Sequence, residues 1–324
     1  MQLGKLFIGI LVAGLTVIAA SADAQQSFPD RPIKIIVGFR AGSSSDVAAR
    51  LVGQKLGEIL NVSVIVENKP GASSEVGAKY VIASVPDGYT LYLCTVANSI
   101  NFAAKSDTFT NISSAMTAIA EIGEVPNILV VTPSLNAHTV SDVIRLAKAK
   151  PGELSYASAG SGTALHMAAE LFSSRAGIQM LHVPYQGSAA AMPDLLEGRT
   201  SLMFAPASTV ISLVKAGKLR AIASTGLRRA EIVPDLPTVA EEGLPGFESS
   251  VWFGLLGPKG LPPEIAKKLE TSILAAAAAP DMKEKFGAQG IEVIPRGQSD
   301  FTKYIKAENE KWGKVIKDRN LKLD

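Results

Sequence analysis

The sequence predicts an α/β protein built as two lobes, because two segments of the chain share one plan. Each segment, residues 34–67 and residues 154–183, is predicted as strand, Gly/Ser-rich turn, helix and returning strand. A crossover helix between two neighbouring strands makes those strands parallel. Since the plan occurs twice, we expect two α/β lobes, each offering one Gly/Ser-rich turn to a common cleft.

The first segment opens with Lys34–Phe39 (KIIVGF), a short apolar run typical of a buried strand. The turn Arg40–Ser45 follows, a helix is predicted from Asp46 onward, and Val62–Glu67 is the returning strand. The apolar residues of the helix recur at helical spacing, namely Val47, Leu51, Val52, Leu56, Ile59 and Leu60.

The second segment repeats this order with different residues. Leu154–Ala157 is predicted as a strand, Ser158–Thr163 as the Gly/Ser-rich turn, and Gln179–Val183 as the returning strand, followed by a turn at Pro184–Gly187. One face of the intervening helix is marked by Leu165, Ala169, Phe172 and Ala176.

The rest of the chain continues the alternation of strands and helices. We expect strands at 200–204, 219–223 and 250–256, and helices at 189–197, 208–216, 262–279, 281–286 and 299–319. Crossings between the lobes are predicted near 125–131 and 248–256. The first lobe then takes residues 25–126 and 248–324, and the second takes residues 127–247.

Composition excludes several classes of function. Lys and Arg total 32 against 30 Asp and Glu, a net charge of +2 without a basic cluster, so no nucleic-acid partner is expected. Three His and one Cys are too few and too scattered for a zinc-type site, and one Cys cannot form an intrachain disulfide. We therefore predict no metal and no cofactor.

The N-terminus predicts export. Lys5 precedes an apolar run, Leu6–Ala20, and the small-x-small sequence Ala22-Asp23-Ala24 follows it. That order is typical of a secretory signal peptide, residues 1–24, cut after Ala24. The alternative is an uncleaved anchor, but the run is short of the ~20 residues that a membrane span needs. We predict a soluble periplasmic protein that is a monomer.

The two Gly/Ser-rich turns are the candidate binding elements. Ligands of open parallel sheets bind at the carboxyl ends of strands, where helix N-termini expose N–H donors that favour an anion. The alternative is that Gly and Ser only form tight turns and helix caps. Additional hydroxyl donors come from Ser43, Ser44, Ser45, Ser161 and Thr163.

Two charged residues of the first turn leave alternatives open. A carboxylate at Asp46 would stabilise the first helical turn, either by capping backbone N–H groups or by meeting a ligand ammonium or hydroxyl. Arg40 could pair with a ligand carboxylate, or it could be a solvated surface residue.

Ser161 and His166 raise nucleophilic catalysis as an alternative. The nucleophile elbow requires Gly-x-Ser-x-Gly, but position 159 is Ala and position 163 is Thr. A His five residues along a helix points away from a Ser that precedes that helix, so we expect His166 on the helix face or the cleft rim. We therefore predict a binding protein rather than an enzyme, with a periplasmic hydrolase or isomerase as the alternative.

Five runs follow one another in the order known from one family: FPDRPIKIIVGFRAGSSSDVAARLVGQKL, VIVENKPGASSEVGAKYVIASVPDGYTL, LSYASAGSGTALHMAAELF, HVPYQGSAAAMPDLLEG and WFGLLGPKGLPPEI. From about Phe28 to its end, the chain resembles the Bug proteins, the TctC-like receptors of tripartite tricarboxylate transporters. The resemblance implies a type II periplasmic binding protein, or Venus flytrap, in which crossover strands join two α/β lobes.

The resemblance also implies how a ligand is held. One ligand carboxylate is expected between Phe39–Asp46 of the first lobe and Ser158–Thr163 of the second, with bridging waters and Tyr185–Gly187 nearby. The predicted ligand-binding residues are Phe39, Arg40, Ala41, Gly42, Ser43, Ser44, Ser45, Asp46, Thr95, Ser158, Ala159, Gly160, Ser161, Gly162, Thr163, His166, Tyr185, Gln186, Gly187 and Ala205.

The chain departs from the family pattern at the predicted cleft. Arg40 stands where the family has Pro, Ser43 and Ser44 replace glycines, and Ala205 stands where Asp or Asn is common. These changes predict a ligand other than a simple dicarboxylate, with Arg40 as a cation for a second acidic group.

The sequence thus predicts a receptor that captures a small organic carboxylate and delivers it to membrane permease subunits of a tripartite transporter. The alternative is a sensor that presents the solute to a membrane signalling kinase, because one fold serves both roles.

Overall fold

The structure is a computed structural model that describes residues 28–323. The predicted signal peptide, residues 1–24, lies outside the described residues, so its cleavage stays a prediction. Among residues 28–323, no helix combines the length and the apolar character that crossing a membrane requires.

Strands and helices alternate along most of the described chain. The strands are β1 (Ile33–Val37), β2 (Val64–Asn68), β3 (Thr90–Thr95), β4 (Met116–Val131), β5 (Ser155–Ser158), β6 (Leu181–Pro184), β7 (Leu202–Pro206), β8 (Arg220–Ser224) and β9 (Ser250–Pro258). The helices are α1 (Ser44–Leu60), α2 (Glu75–Ile82), α3 (Val96–Ala104), α4 (Ile112–Ala115), α5 (Val140–Ala149), α6 (Ala164–Ala176), α7 (Ser188–Leu196), α8 (Ala207–Lys215), α9 (Pro263–Ala278), α10 (Pro280–Ala288) and α11 (Gln298–Asp318).

The strands form two sheets that share β4. In the first lobe the order is β2-β1-β3-β9-β4, with β1 parallel to β2 and β3, and β9 antiparallel to both β3 and β4. In the second lobe β4 lies between β7 and β8, and the sheet continues through β5 to β6, with β5 parallel to both neighbours. The carboxyl ends of β1, β3, β5 and β7 therefore face the junction between the lobes.

Alternating side chains on each strand pack helices on both faces. On β1, Ile35 belongs to an apolar cluster with α1 and α9, while Ile36 packs in a second cluster that includes residues of α3 and α11. This alternation is the period of two that places successive strand residues on opposite faces. The helices hold the sheet ends in place, and the turns at those ends are set by the packing behind them.

The two lobes meet at three hydrogen-bonded chain segments. The Thr225 N–H donates to the Asn127 carbonyl (3.0 Å), and the Ser249 N–H donates to the Thr225 carbonyl (3.0 Å). The Asn127 side-chain amide donates to the Ser249 carbonyl (3.2 Å). All three residues are buried. We name Asn127, Thr225 and Ser249 the hinge junction, because the chain passes between the sheets here.

The two-lobed α/β fold confirms the prediction from the repeated strand, turn and helix plan. The predicted helix after the first turn begins two residues earlier, at Ser44, and the crossing strand is longer than 125–131 because β4 starts at Met116. Strand β3 and helices α2, α3 and α5 were not predicted from the sequence. The exact lobe boundaries stay a prediction.

Candidate functional site

The first turn is held in shape by its own side chains. The Ser43 hydroxyl caps α1 by accepting from the Asp46 N–H (3.3 Å), and the Gly42 N–H donates to Asp46 Oδ2 (2.9 Å). Gly42 has a φ of 81°, in the left-handed region that glycine adopts without a steric penalty. These contacts confirm the capping interpretation of Asp46, in which its carboxylate satisfies backbone N–H groups of the turn.

Asp46 is buried and also anchors the turn from below. Arg50 Nε donates to Asp46 Oδ2 (3.0 Å), and Asn68 Nδ2 donates to Oδ1 (2.9 Å). Burial by itself would raise the pKa of Asp46, but the bonds from Arg50, Gly42 and Asn68 keep that pKa below its usual value. The carboxylate therefore stays ionised, and it supports the turn instead of facing the space between the lobes.

The second turn is ordered in a similar way. The Thr163 hydroxyl caps α6 by accepting from the His166 N–H (3.4 Å), and it donates to the Gly160 carbonyl (2.8 Å). The turn after β6 rests against the second turn, because the Tyr185 N–H donates to the Ser158 carbonyl (3.1 Å) and the Gly187 N–H donates to the Ala159 carbonyl (3.3 Å). The structure thus brings the second and third predicted segments together.

His166 lies on the buried face of α6 beneath the second turn, in agreement with the helix-face alternative and not with the cleft-rim one. Its ring is 4.0 Å from the ring of His182, and Tyr156 stacks on His182 at 4.9 Å. Because α6 packs this face against β5 and β6, the His166 side chain is only 4% exposed. Within the described chain, no hydrogen bond joins Ser161 to His166, and the Gly162 N–H donates to His166 Nδ1 instead (3.1 Å).

Both histidines are held in their neutral form. Burial, followed by the neighbouring His182, lowers the pKa of His166 to about 4, and burial lowers the pKa of His182. His182 Nε2 lies 2.7 Å from the Ser158 hydroxyl. The network extends to Glu170, which accepts hydrogen bonds from the Tyr156 hydroxyl and from Arg319 Nε, the latter at 2.7 Å.

A cavity of about 210 Å³ opens between the lobes and is lined by Phe39, which directly precedes the first turn, and by residues of the second turn. Its walls combine hydroxyl and backbone groups with apolar side chains and one lysine. The lining residues are Phe39, Ser73, Ala97, Ile100, Asn101, Ala104, Lys105, Phe109, Ser161, Gly162, Thr163 and Leu323. Phe39 ends the first predicted strand and Ser161–Thr163 belong to the second turn, so the cavity has walls from both lobes, but none of residues 40–45 of the first turn lines it.

Several predicted site residues do not line this cavity. Arg40, Ala41, Gly42, Ser44 and Gln186 are exposed. The following are buried, and their side chains pack against or bond to the protein: Ser45, Asp46, Thr95, Ser158, His166 and Ala205. Direct ligand contact by these residues stays a prediction, whereas the structure shows them shaping or supporting the strand ends.

A strained segment contributes Ser73 to the cavity. Ala72, Ser73 and Ser74 have φ values of 43°, 49° and 79°, a left-handed conformation that is costly for residues other than glycine. The strain is offset by hydrogen bonds from Asn101 Nδ2 to the Ser73 carbonyl (2.8 Å) and from Asn98 Nδ2 to the Ser74 hydroxyl (3.0 Å). Gly38 is required beneath it, because a Cβ there would lie 2.5 Å from Ser74 Cβ.

Helix α3 forms one wall of the cavity, and sequence reasoning missed it. A single face of α3 and its C-cap supplies the wall at the spacing of neighbouring helical turns, with Ala97, Ile100, Asn101, Ala104 and Lys105. The available signal was the capping box of Thr95 and Asn98, which marks a helix start directly after β3. Leu323 and Phe109 reach the cavity only through tertiary packing.

A larger groove of about 660 Å³ lies between α6 and α11. Charged side chains in it pair with one another, as in Lys311–Glu308 and Lys314–Asp318. The groove runs along helix flanks, whereas open α/β sheets bind ligands at the carboxyl ends of their strands. We therefore assign the candidate site to the smaller cavity between the lobes.

Two α/β lobes with strand-end turns on a shared cavity define the class of periplasmic solute-binding proteins. The chain belongs to the family described as the tripartite tricarboxylate transporter family receptor, TctC, whose family model matches residues 48–321. The family and the fold are those of solute-binding receptors, which are not enzymes.

Similar proteins agree with this assignment. Protein BugT of Bordetella pertussis is 32% identical over 319 residues, which cover 98% of this chain and 97% of BugT. Rpa4515 of R. palustris, solved with adipate, is 33% identical with a TM-score of 0.73, covering 90% of this chain and 98% of that one. MatC of Rhodopseudomonas palustris, solved with bound malate, is 26% identical with a TM-score of 0.70, covering 89% and 100%.

Proposed function

We propose that the protein is a periplasmic receptor that captures a small organic carboxylate between its lobes and delivers it to membrane permease subunits of a tripartite transporter. In this proposal the signal peptide is removed after Ala24, and the mature chain acts as a monomer without a cofactor. Membership of the receptor family, together with the adipate and malate bound to two similar proteins, supports the ligand class.

The observation on which the proposal rests is the cavity between the lobes, which Phe39 and the second turn line. Ser161, Gly162 and Thr163 precede α6, whose first-turn N–H groups have no partners within the helix. Helix N-termini favour anions because these donors and the helix dipole point at the same place. The Gly162 N–H and the Thr163 hydroxyl already donate to protein acceptors. A carboxylate bound here therefore exchanges its water shell for the Ser161 hydroxyl and the remaining first-turn N–H groups of α6.

The proposed mechanism is capture followed by presentation. The ligand binds in the open cleft, and the lobes close by rotation at the hinge junction. Closure is favoured because only the closed state places donors of both lobes on one ligand. Those donors have to be ordered before closure, since a buried anion without partners would be costly. The hydrogen bonds from Gly42 to Asp46 and from Gly162 to His166 hold the two turns in shape before a ligand binds.

Thermal-shift and calorimetric screening of the mature chain, residues 25–324, against organic acids tests the proposal. A ligand at a hundred times its dissociation constant stabilises the folded state by about 2.7 kcal/mol. Each acid is paired with its amide, which lacks the negative charge. Binding of the acid but not of the amide supports the proposal, and the absence of any acid that binds contradicts it.

A matched pair of variants localises the binding. Ser161→Asp introduces a negative charge directly before α6 and should abolish binding of the acid. Ser299→Asp introduces the same charge on an exposed residue in the first turn of α11, far from the cavity, and should leave binding intact.

Pull-down of the ligand-loaded protein from membranes then distinguishes delivery to a permease from presentation to a signalling kinase.

A further inference from the structure

We propose that the segment following α11, Arg319–Leu323, is a latch that holds the lobes in their ligand-free arrangement and is displaced when they close on a ligand. We name these residues the latch segment. The inference rests on the proposed function and adds an autoinhibitory contact to it. Helix α11 packs on α3 of the first lobe, and the latch segment leads from α11 to the second lobe and places Leu323 in the cavity.

Arg319 fastens the latch segment to the second lobe. Its Nε donates to Glu170 Oε2 on α6 (2.7 Å), and its Nη1 donates to the Ile178 carbonyl beyond the end of that helix (3.3 Å). The Glu170 side chain is 6% exposed and the Arg319 side chain is 22% exposed, so the ion pair is largely shielded from water. A shielded, charge-assisted contact holds its geometry better than an exposed surface pair does.

The backbone after Arg319 turns the chain towards the cavity. Asn320 has a φ of 50°, in the left-handed region that Asn tolerates better than most residues. The Leu321 N–H donates to the Ile316 carbonyl (3.0 Å). Leu321 and Leu323 pack against the apolar cluster that α6 and α11 share. These contacts hold the Leu323 side chain in one place.

Leu323 covers the turn at which the proposed ligand binds. A Cβ placed on Gly162 would lie 3.9 Å from Leu323 Cβ, so this side chain rests over the turn that precedes α6. The N–H groups in the first turn of α6 have no partners within the helix, and an apolar side chain offers them no acceptor. A carboxylate does offer acceptors, and it therefore competes with Leu323 for the same turn.

The arrangement that contains the latch differs from the ligand-loaded one expected for a receptor. Residues 40–45 of the first turn do not line the cavity, although closure has to bring donors of both lobes to the ligand. Leu323 lines the cavity together with Phe39 of the first lobe and Gly162 of the second, so it has to move when these walls approach each other. Closure therefore breaks contacts of the latch segment, and that cost lowers the apparent affinity for a ligand.

Calorimetric titration of the mature protein with adipate and with malate tests the latch. Leu323→Ala shortens the side chain in the cavity, and Arg319→Met removes the anchor. Whichever of the two acids binds the wild type should bind each variant roughly three- to tenfold more tightly, because fewer contacts are broken on closure. A gain in affinity distinguishes a latch from a merely structural contact, whose loss leaves binding unchanged or weaker.

A second measurement needs no ligand. Spin labels on Gln54→Cys in α1 and Lys148→Cys in α5, both at exposed positions, report the distance between the lobes, and the native Cys94 is buried. The ligand-free protein with the latch intact should give one main distance. Arg319→Met and Leu323→Ala should each add a second population in the absence of any acid.

Matched controls and the outcomes separate this inference from the proposed function. Arg175→Met and Leu227→Ala make the same replacements at exposed positions and should match the wild type in both measurements. Unchanged or weaker binding of an acid that the wild type binds would overturn the latch, and so would an unchanged distance distribution. If no acid binds the wild type, the proposed function fails, and the distances still decide whether the latch holds the lobes. Circular dichroism melting confirms that the compared proteins are folded.

Discussion

The Gly162 N–H donates a hydrogen bond to His166 Nδ1, so the second turn of the cavity is fastened to a buried imidazole. His166 stacks in turn on His182, whose Nε2 contacts the Ser158 hydroxyl at the start of the same turn. Both ends of the turn are therefore fixed by neutral histidines. The orientation of its N–H groups is set before any ligand arrives, which reduces the ordering cost of binding.

Replacing His166 with Phe should weaken both the fold and the binding of acids. Phe preserves an aromatic ring in the stack but removes the acceptor for the Gly162 N–H, and the loss of one hydrogen bond costs about 0.5–1.5 kcal/mol. Urea unfolding and titration with the acid found by screening measure the two effects. His138→Phe changes an exposed histidine and should alter neither quantity. Wild-type affinity in His166→Phe would contradict a role for this bond in ordering the turn.

Acidification should release the second turn through the same histidine. The folded protein keeps the pKa of His166 near about 4, below the ordinary value of 6.5, so the unfolded state binds more protons between these values. The stabilising contribution of a neutral His166 is therefore present above pH 6.5 and is lost as the pH falls towards 4. At pH 5 the free energy of unfolding should have decreased by about 2 kcal/mol.

Nuclear magnetic resonance of the histidine rings measures the pKa values of His166 and His182 directly. We expect the His166 signals to titrate near pH 4 and the His182 signals below 6.5, with assignments made from His166→Gln and His182→Gln. A His166 midpoint at or above 6.5 would show that the ring is accessible and charged. Affinity for the acid, measured at the same pH values, should decline as His166 becomes protonated.

Asp46 should stabilise the protein as the hydrogen-bond acceptor that holds the first turn. Asp46→Ala removes the acceptor for the Gly42, Arg50 and Asn68 donors and should cost about 2–3 kcal/mol, whereas Asp46→Asn retains an acceptor and should cost less. Because the folded pKa is lowered, this contribution is present above the ordinary value and is lost as the pH falls through the folded pKa. Urea unfolding at pH 7 measures both variants, and Asp235→Asn, on an exposed residue, is the control. Equal stability of Asp46→Ala and the wild type would contradict the support role.

The ion pair of Arg319 with Glu170 should couple the end of α11 to the second lobe. A double-mutant cycle with Arg319→Met and Glu170→Gln is expected to give a coupling of about 1–3 kcal/mol, because the Glu170 carboxylate is buried. The Lys314–Asp318 pair on the same helix is more exposed and should give less than about 1 kcal/mol. Similar coupling in both cycles would show that burial does not distinguish them.

The sequence predicted the repeated units well because each is local. β1 is a short, mainly apolar run and β5 is a short buried segment, SYAS. The Gly/Ser turns follow them closely, so neighbouring residues determine both features. The long crossing strand β4 was only partly predicted, since Gly123 and Pro126 resemble strand breakers. In the structure Pro126 is the last residue paired with β9, and pairing with β7 and β8 begins after it.

The site was less predictable, because its walls come from distant segments. Lys105 and Leu323 are far apart in the chain and share the cavity only through the packing of α3 and the C-terminal residues. The burial of His166 was not predicted, because helical spacing gives a face of the helix but does not say which neighbour covers that face. Its burial depends on His182 and Tyr156, which reach it from β6 and β5.

The hinge junction has a consequence for how opening could be observed. Asn127, Thr225 and Ser249 are bonded to one another, so we expect the crossing segments to pivot at this junction and the lobes to open along essentially one angular coordinate. A single pair of spectroscopic labels, one on each lobe away from the cavity, would therefore report the whole opening as one distance. Two well-resolved distance populations would then correspond to the unloaded and loaded forms, and their ratio would serve as a direct gauge of occupancy.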